Sequence, residues 1–367
     1  MKNFLCSCGQ VLFFENTQCT HCHRRLGFDP ASRKLLALDP VRDLHSNATP
    51  RWRAAQTGQF YHRCCNDTEF DLCNWLVKTP GQAYCLACSL NQTVPRIRAG
   101  SDWQQRHRWW RSMEQAKRRL LFTLLELGLP VQSKSENPEV GLAFAFLEDW
   151  RSNPLVDQAH VLTGHARGLI TVNLAEADHV LREQARQRLG EPYRTLLGHF
   201  RHESGHYYFD HLIVTAADHE EFRALFGDER ADYDLAIDDY YAVGLEREKR
   251  PDMISAYAQV HPLEDWAECW AHYLHMVDTL ETAAQFGLPR SGEACGDQTV
   301  DLCIEQQIEQ WSQVSAMLNS LNRSMGLEDA YPFVLSAQTL NKIRFVHRKI
   351  YPILTPMQTV ASVGTHP

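Results

Sequence analysis

Nowhere in its 367 residues does this chain run for the roughly 18 to 20 consecutive apolar residues that a membrane-spanning helix needs. The N-terminus, Met1-Lys2-Asn3-Phe4-Leu5-Cys6, has one basic residue and no uninterrupted apolar stretch of signal-peptide length. A soluble, cytoplasmic chain with no membrane partner is therefore expected. Internal repeats and low-complexity blocks are absent as well, which excludes a solenoid and a largely disordered protein. Residues 356–367 lack periodicity and are expected to form a disordered tail. Positive charge is scarce overall, with 37 Lys+Arg against 45 Asp+Glu and a net charge of −8. The deficit is uneven: residues 1–120 hold 18 basic and 9 acidic side chains, or +9, which leaves −17 for residues 121–367. The basic N-terminal part suits a nucleic acid or an acidic protein as partner, and a solvated basic face with no specific partner is the plainer alternative.

Cysteine is what the chain has in quantity, twelve in all, with nine between residues 6 and 88. Without an export signal, such crowding points to metal ligation by reduced thiols rather than to disulfides. The first set is Cys6-Ser7-Cys8-Gly9, ten residues, then Cys19-Thr20-His21-Cys22, with Val11-Leu12-Phe13-Phe14 between the pairs. Two thiolate pairs on tight turns at the ends of a short hairpin close a tetrahedral site, so Cys6, Cys8, Cys19 and Cys22 are expected to hold a structural zinc. His21 or His23 is an alternative ligand. The second set is Cys64-Cys65, Cys73 and Cys85-Leu86-Ala87-Cys88. It offers a further structural zinc held by Cys64, Cys73, Cys85 and Cys88, with Cys65 as the rival of Cys64. Closed four-cysteine sites stabilise small folds and leave no coordination position open for chemistry.

At 367 residues and 44% hydrophobic, the chain can bury one large domain and a smaller one. Residues 1–95 form the zinc-ribbon region. Helical periodicity begins at Ser101 and carries Leu120, Leu121, Leu124, Leu125 and Leu127 to a stop at Gly128 and Pro130, which opens a larger domain over residues 101–355. Trp103, Trp109 and Trp110 on that helix are read as packing residues. Gly141–Leu147 and Gly168–Asn173 are short and apolar enough to be strands of a small sheet. The fold class is α+β and mostly helical.

The chemistry concentrates at His202-Glu203-Ser204-Gly205-His206, within a helix that Pro192 is placed to start. Four residues apart on a helix, two imidazoles lie about 40° apart on one face and can share a zinc ion, with Glu203 beside it. His199 falls a turn earlier and suits a supporting role. A second helix opens at His261-Pro262, with Leu263, Trp266, Ala267, Trp270, Leu274 and Val277 as one apolar stripe. Glu264 and Glu268 border that stripe. Glu264 is expected to be the third ligand, and Glu268 to accept a hydrogen bond from a ligand histidine. The two could exchange roles, and Glu264 could instead be a first-turn acid favoured by the helix dipole.

These residues resemble the bacterial zinc-binding metallopeptidases that carry an N-terminal zinc-ribbon region. The matching stretches are Cys19 to Pro30 (CTHCHRRLGFDP), Cys73-Asn74-Trp75-Leu76, Cys85 to Pro95 (CLACSLNQTVP), Thr163-Gly164-His165, and Gly168 to Asp178 (GLITVNLAEAD). The longest are Glu191 to Tyr208 (EPYRTLLGHFRHESGHYY), Phe226 to Tyr233 (FGDERADY) and Ile254 to Ala283 (ISAYAQVHPLEDWAECWAHYLHMVDTLETA). The resemblance implies a zincin-like, gluzincin-type peptidase with His202 and His206 as ligands, Glu203 as general base and a downstream glutamate, Glu264, as third ligand. It implies one catalytic zinc besides the two structural ones, and a protein or peptide substrate. An oxyanion donor would be needed, for which Tyr257, His261 and His165 are candidates; the Gly168–Asn173 strand could pair with an extended substrate. The rivals are a non-catalytic zinc-ribbon protein that binds a nucleic acid or a partner, and a zinc hydrolase acting on another amide or ester.

Overall fold

A computed structural model describes residues 2–41, 50–96, 103–157, 161–189, 191, 193–243, 249–288 and 300–359. The chain divides into two compact units, residues 1–126 with 130–177, and residues 127–129 with 178–367. No helix among the described residues is long and apolar enough to cross a membrane.

The first unit begins with a hairpin of β1 (Phe4–Leu5) and β2 (Val11–Leu12). An antiparallel five-stranded sheet follows: β3 (Arg25–Asp29), β4 (Lys34–Val41), β5 (Arg51–Ala54), β6 (Phe60–Arg63) and β7 (Leu76–Val77). Periodicity alone did not suggest this sheet, because its strands are short and carry Arg, Lys and Asp among their apolar residues. Two single-turn helices, α1 (Cys65–Thr68) and α2 (Leu86–Ser89), carry the second cysteine set.

A second sheet joins β8 (Asn91–Thr93) to strands that follow the long helix α3 (Trp103–Glu126): β9 (Ala143–Leu147), β10 (Gly164–Ala166) and β11 (Leu169–Asn173). Its order is β10-β11-β9-β8, with β9 parallel to both neighbours. The strand over Gly168–Asn173 is therefore interior, flanked on both sides, and cannot pair with a substrate as an edge. Gly168 is required where it stands: φ is +83°, and a Cβ would lie 2.3 Å from the Gly141 carbonyl oxygen.

The contacts cut the chain after residue 177 rather than between 95 and 101. The physical reason is a shared core. Phe14, Phe28 and Trp75 from the cysteine-rich part pack with Phe122 of α3, with ring centroids 5.1 Å apart for Phe14–Phe122 and 4.8 Å for Phe28–Trp75. Beside it, Lys117 and Glu114 of α3 form a fully buried ion pair at 2.8 Å, and Asn91 of β8 donates to Glu114 at 2.6 Å while accepting from Lys117. Burying two charges is tolerable only when each is paired and hydrogen-bonded, as here. Trp110 joins the core, whereas Trp103 is 47% exposed and does not pack as expected.

The second unit is helical: α4 (His179–Leu189), α5 (Leu196–Leu212), α6 (Ala216–Phe226), α7 (Tyr233–Val243), α8 (Pro262–Ala284), α9 (Val300–Ser324) and α10 (Ala337–Thr359). The apolar stripe of α8 makes it the hub, packed against α5, α6, α9 and α10. Trp266, fully buried, meets Phe209, Phe222, Phe226 and Phe345 edge to face. Lys342 of α10 reaches Asp265 of α8 at 2.5 Å, both side chains buried. Ten cysteines are free thiols, but Cys303 is disulfide-bonded, a departure from an all-thiol chain. The proposed tail divides: α10 continues to Thr359, and residues 360–367 lie outside the described residues.

Phe122→Ala should remove a ring that packs against three other aromatics of the first unit, Phe4, Phe14 and Phe28, costing about 3–5 kcal/mol. Denaturant unfolding of the variant against wild type measures the loss.

Candidate active site

Thr195 starts α5. Its side chain accepts a hydrogen bond from the Gly198 N–H at 3.0 Å, so the helix begins at Leu196 and not at Pro192, which lies outside the described residues. His202 and His206 then stand on successive turns, ring centroids 5.1 Å apart. His261 caps α8, its Nδ1 accepting from the Leu263 N–H at 3.2 Å, and Pro262 fills the first turn. Glu264 and Asp265 follow in that turn, where the helix dipole favours negative charge.

Gly205 lets these two helices meet. A Cβ at this position would lie 2.9 Å from the Cα of Ala267, closer than real side chains approach a backbone. Two buried indoles lock the crossing: Trp266 Nε1 donates to the Gly205 carbonyl at 2.8 Å and Trp270 Nε1 to the Ser204 hydroxyl at 3.0 Å. One turn earlier on α5, buried Arg201 is paired with Asp278 and hydrogen-bonded to His275.

At this crossing the ligand atoms of His202, His206 and Glu264 all lie within 4.8 Å of one another. His202 Nε2 is 2.9 Å from Glu264 Oε2, and His206 Nε2 is 3.4 Å from Glu264 Oε1. Zinc bonds to nitrogen and oxygen of roughly 2.0–2.2 Å give tetrahedral edges of about 3.3 Å, so the donor set fits that ion. Glu264 Oε2 is buried and, despite its nearness to His202, has no well-formed hydrogen bond. A bound cation would supply its partner. Glu268 does not join the three; its Oε1 lies 2.8 Å from His202 Nδ1. Because a carboxylate only accepts, Nδ1 carries a proton, which in the neutral imidazole leaves Nε2 as the nitrogen with a lone pair for a metal. His199 is not among the converging residues.

The electrostatics favour positive charge. Burial opposes the His202 cation, but Glu264 and Glu268 more than offset this and hold its pKa well above the usual value. Burial would raise the Glu264 carboxyl, yet His202 and His206 keep it well below the ordinary range. Glu203 is raised instead, because burial outweighs the attraction of the two histidines and Glu264 adds repulsion. The two carboxyls are thus shifted in opposite directions.

Of the oxyanion candidates, His261 is committed to structure, with Nδ1 on the α8 cap and Nε2 at 3.1 Å from the Ala231 carbonyl. His165 belongs to the other unit, where its Nε2 accepts from the Gly168 N–H at 2.9 Å. Tyr257 stands beside the site, its ring centroid 5.9 Å from that of His202. One neighbour escaped the residue-pattern reading: Tyr233 of α7 donates to Glu264 Oε1 at 2.5 Å. No periodicity could have singled it out.

The cysteines form two further groups, Cys6, Cys8, Cys19 and Cys22, and Cys64, Cys73, Cys85 and Cys88. Sulfur–sulfur distances are 3.6 Å for Cys6–Cys22, 3.7 Å for Cys8–Cys19 and 3.6 Å for Cys73–Cys85. A disulfide needs about 2.05 Å, whereas Zn–S bonds of about 2.3 Å set tetrahedral edges near 3.8 Å. Cys65, half-exposed, stays outside the second group.

Two sulfur-lined groups and one imidazole–carboxylate group in one chain define a zinc-binding protein. Residues 106–349 match the family described as "Putative zinc-binding metallo-peptidase", and residues 3–99 match a zinc-ribbon domain. The chain belongs to that metallopeptidase family. It is also 40% identical over 351 residues to uncharacterized proteins of Mycobacterium bovis and Mycobacterium tuberculosis, covering 95% of this chain and 94% of theirs. No solved structure matches.

Gly205→Ala should force α5 and α8 apart, costing about 1–3 kcal/mol of stability and weakening metal binding at the crossing. Thermal unfolding with and without added zinc measures both effects.

Proposed function

We propose that this protein is a zinc-dependent peptidase that hydrolyses peptide bonds in protein or peptide substrates. The observation that carries the reading is the convergence of His202, His206 and Glu264, with the buried Glu203 next to His202 on α5. His202, His206 and Glu264 hold the catalytic zinc, and each four-cysteine group holds a structural one. When bound at three protein ligands, zinc lowers the pKa of a coordinated water toward neutrality and polarises a carbonyl oxygen. Glu203 takes a proton at its carboxylate during attack and returns it to the leaving nitrogen. Glu268 fixes the His202 tautomer through Nδ1–H, and the Tyr257 hydroxyl is the candidate donor to the developing oxyanion. The free thiols of both cysteine groups suit a reducing compartment such as the cytoplasm, against which the disulfide at Cys303 stands as the one opposing feature among the described residues.

Glu203→Gln should retain its zinc and lose cleavage of a broad peptide library by at least about 100-fold. Metal-independent turnover that is equal in both proteins would sink the mechanism. Glu264→Ala should weaken zinc binding at this site by more than about 100-fold while leaving a residual affinity from the two histidines, whereas Glu268→Ala should weaken it by roughly 10–100-fold. The reverse order, read by metal analysis, would exchange the two roles.

One observation favours an additional role for the first unit. Arg51 stacks over exposed Phe60 at 4.4 Å, and neither Arg51 nor Arg53 pairs with a carboxylate among the described residues. An arginine–aromatic pair on a basic surface suits single-stranded nucleic acid. Binding should fall steeply with salt and be lost in an Arg51→Glu, Arg53→Glu double variant; salt-insensitive retention would oppose it.

A further inference from the structure

Glu264 is 1% exposed, and beyond the two histidines its carboxylate receives one hydrogen bond among the described residues, from the hydroxyl of Tyr233. That bond falls on Oε1 at 2.5 Å, while Oε2, closer to His202, is left without one. A buried carboxylate with one oxygen held by a phenol and the other bare is oriented to bind through a chosen oxygen. The phenol is itself braced. Its ring packs edge to face on His261, centroids 5.2 Å apart, and His261 caps the same helix that bears Glu264. Seven residues on, and so on the same face of α7, Tyr240 meets Tyr257 edge to face at 5.6 Å. Tyr257 in turn flanks His202. Helix α7 therefore meets the ligand set directly at Glu264, through Tyr233, and indirectly at His202, through Tyr240 and Tyr257.

We infer that Tyr233 is a positioning residue for the third metal ligand, and that seating of α7 and metal binding at His202, His206 and Glu264 are coupled through it. This rests on the zinc reading of the site proposed above. The phenol fixes the carboxylate rotamer before the ion arrives, so the site loses less side-chain freedom on binding. Conversely, an ion on Glu264 strengthens the carboxylate end of a bond that holds α7 down. A merely structural tyrosine would stabilise the unit without altering its affinity for metal.

The test uses full-length protein with both cysteine groups loaded, and measures zinc affinity at the histidine site by chelator competition in wild type, Tyr233→Phe, Glu264→Ala and the double variant. Circular dichroism checks that each is folded. Tyr233→Phe should bind zinc about 10–100-fold more weakly than wild type. In the Glu264→Ala background the same change should cost nothing further, because the phenol acts through that carboxylate. Amide exchange over residues 233–243 should slow on zinc addition in wild type and not in Tyr233→Phe. An unchanged affinity in Tyr233→Phe, or an equal loss in both backgrounds, overturns the inference while leaving the zinc site intact. A wild type that takes up zinc only at its cysteines overturns the site and this inference together.

Discussion

The close approach of α5 to α8 is the constraint on which the rest of the candidate site depends. Contacts run in opposite order along the two helices: Arg201 to Asp278, Ser204 to Trp270, Gly205 to Trp266 and Ala267. The pair is therefore antiparallel, and its narrowest point is the glycine inside the His-Glu-Ser-Gly-His stretch. On α5, His202 lies three residues before this glycine and His206 directly after it, and on α8 Glu264 lies three residues before Ala267. Residues with larger side chains at 205 and 267 would separate the imidazoles from Glu264, whatever their chemistry. The tryptophans that flank the crossing do two jobs, since they fill the core and their N–H groups satisfy acceptors on α5 that burial would otherwise strand.

Packing of this kind also explains the charges. A protein does not bury glutamates beside histidines for stability, because the desolvation cost is large unless a cation compensates it. Here two imidazoles and three carboxylates, those of Glu203, Glu264 and Glu268, share a small volume inside a unit whose sequence is strongly acidic. The shifts of His202 and Glu264 both express the same demand for positive charge. In the first unit the demand is met differently. Sulfurs are gathered at tetrahedral spacing around short turns, and closed sites of that type tie together strands too short to hold a core unaided.

Much of this was legible in the residues. The α+β class, the zinc-ribbon region and the metallopeptidase family were all readable, because a spacing of four on a helix and a paired-cysteine plan are local signals. The apolar stripe from Leu263 to Val277 marked α8, and its border marked Glu264. What escaped depended on contacts distant in sequence. The five-stranded sheet is built from short strands with Arg, Lys and Asp among their apolar residues, so none stood out by periodicity. The N-cap of α5 is Thr195, whose hydroxyl satisfies the Gly198 N–H, a role that only the folded helix start reveals. The packing of the cysteine-rich part on α3 rests on Phe122 and Asn91, whose partners lie tens of residues away in sequence. Tyr233 is of the same kind: its meaning comes wholly from what α8 brings to it.

Anomalous diffraction at the zinc edge, from crystals of the full chain, addresses the central claim most directly. The account predicts three peaks: two within the four-cysteine groups and one bonded to His202 Nε2, His206 Nε2 and a Glu264 oxygen at about 2.0–2.2 Å. Peaks confined to the cysteines, with the crossing of α5 and α8 free of metal at saturating zinc, would contradict it.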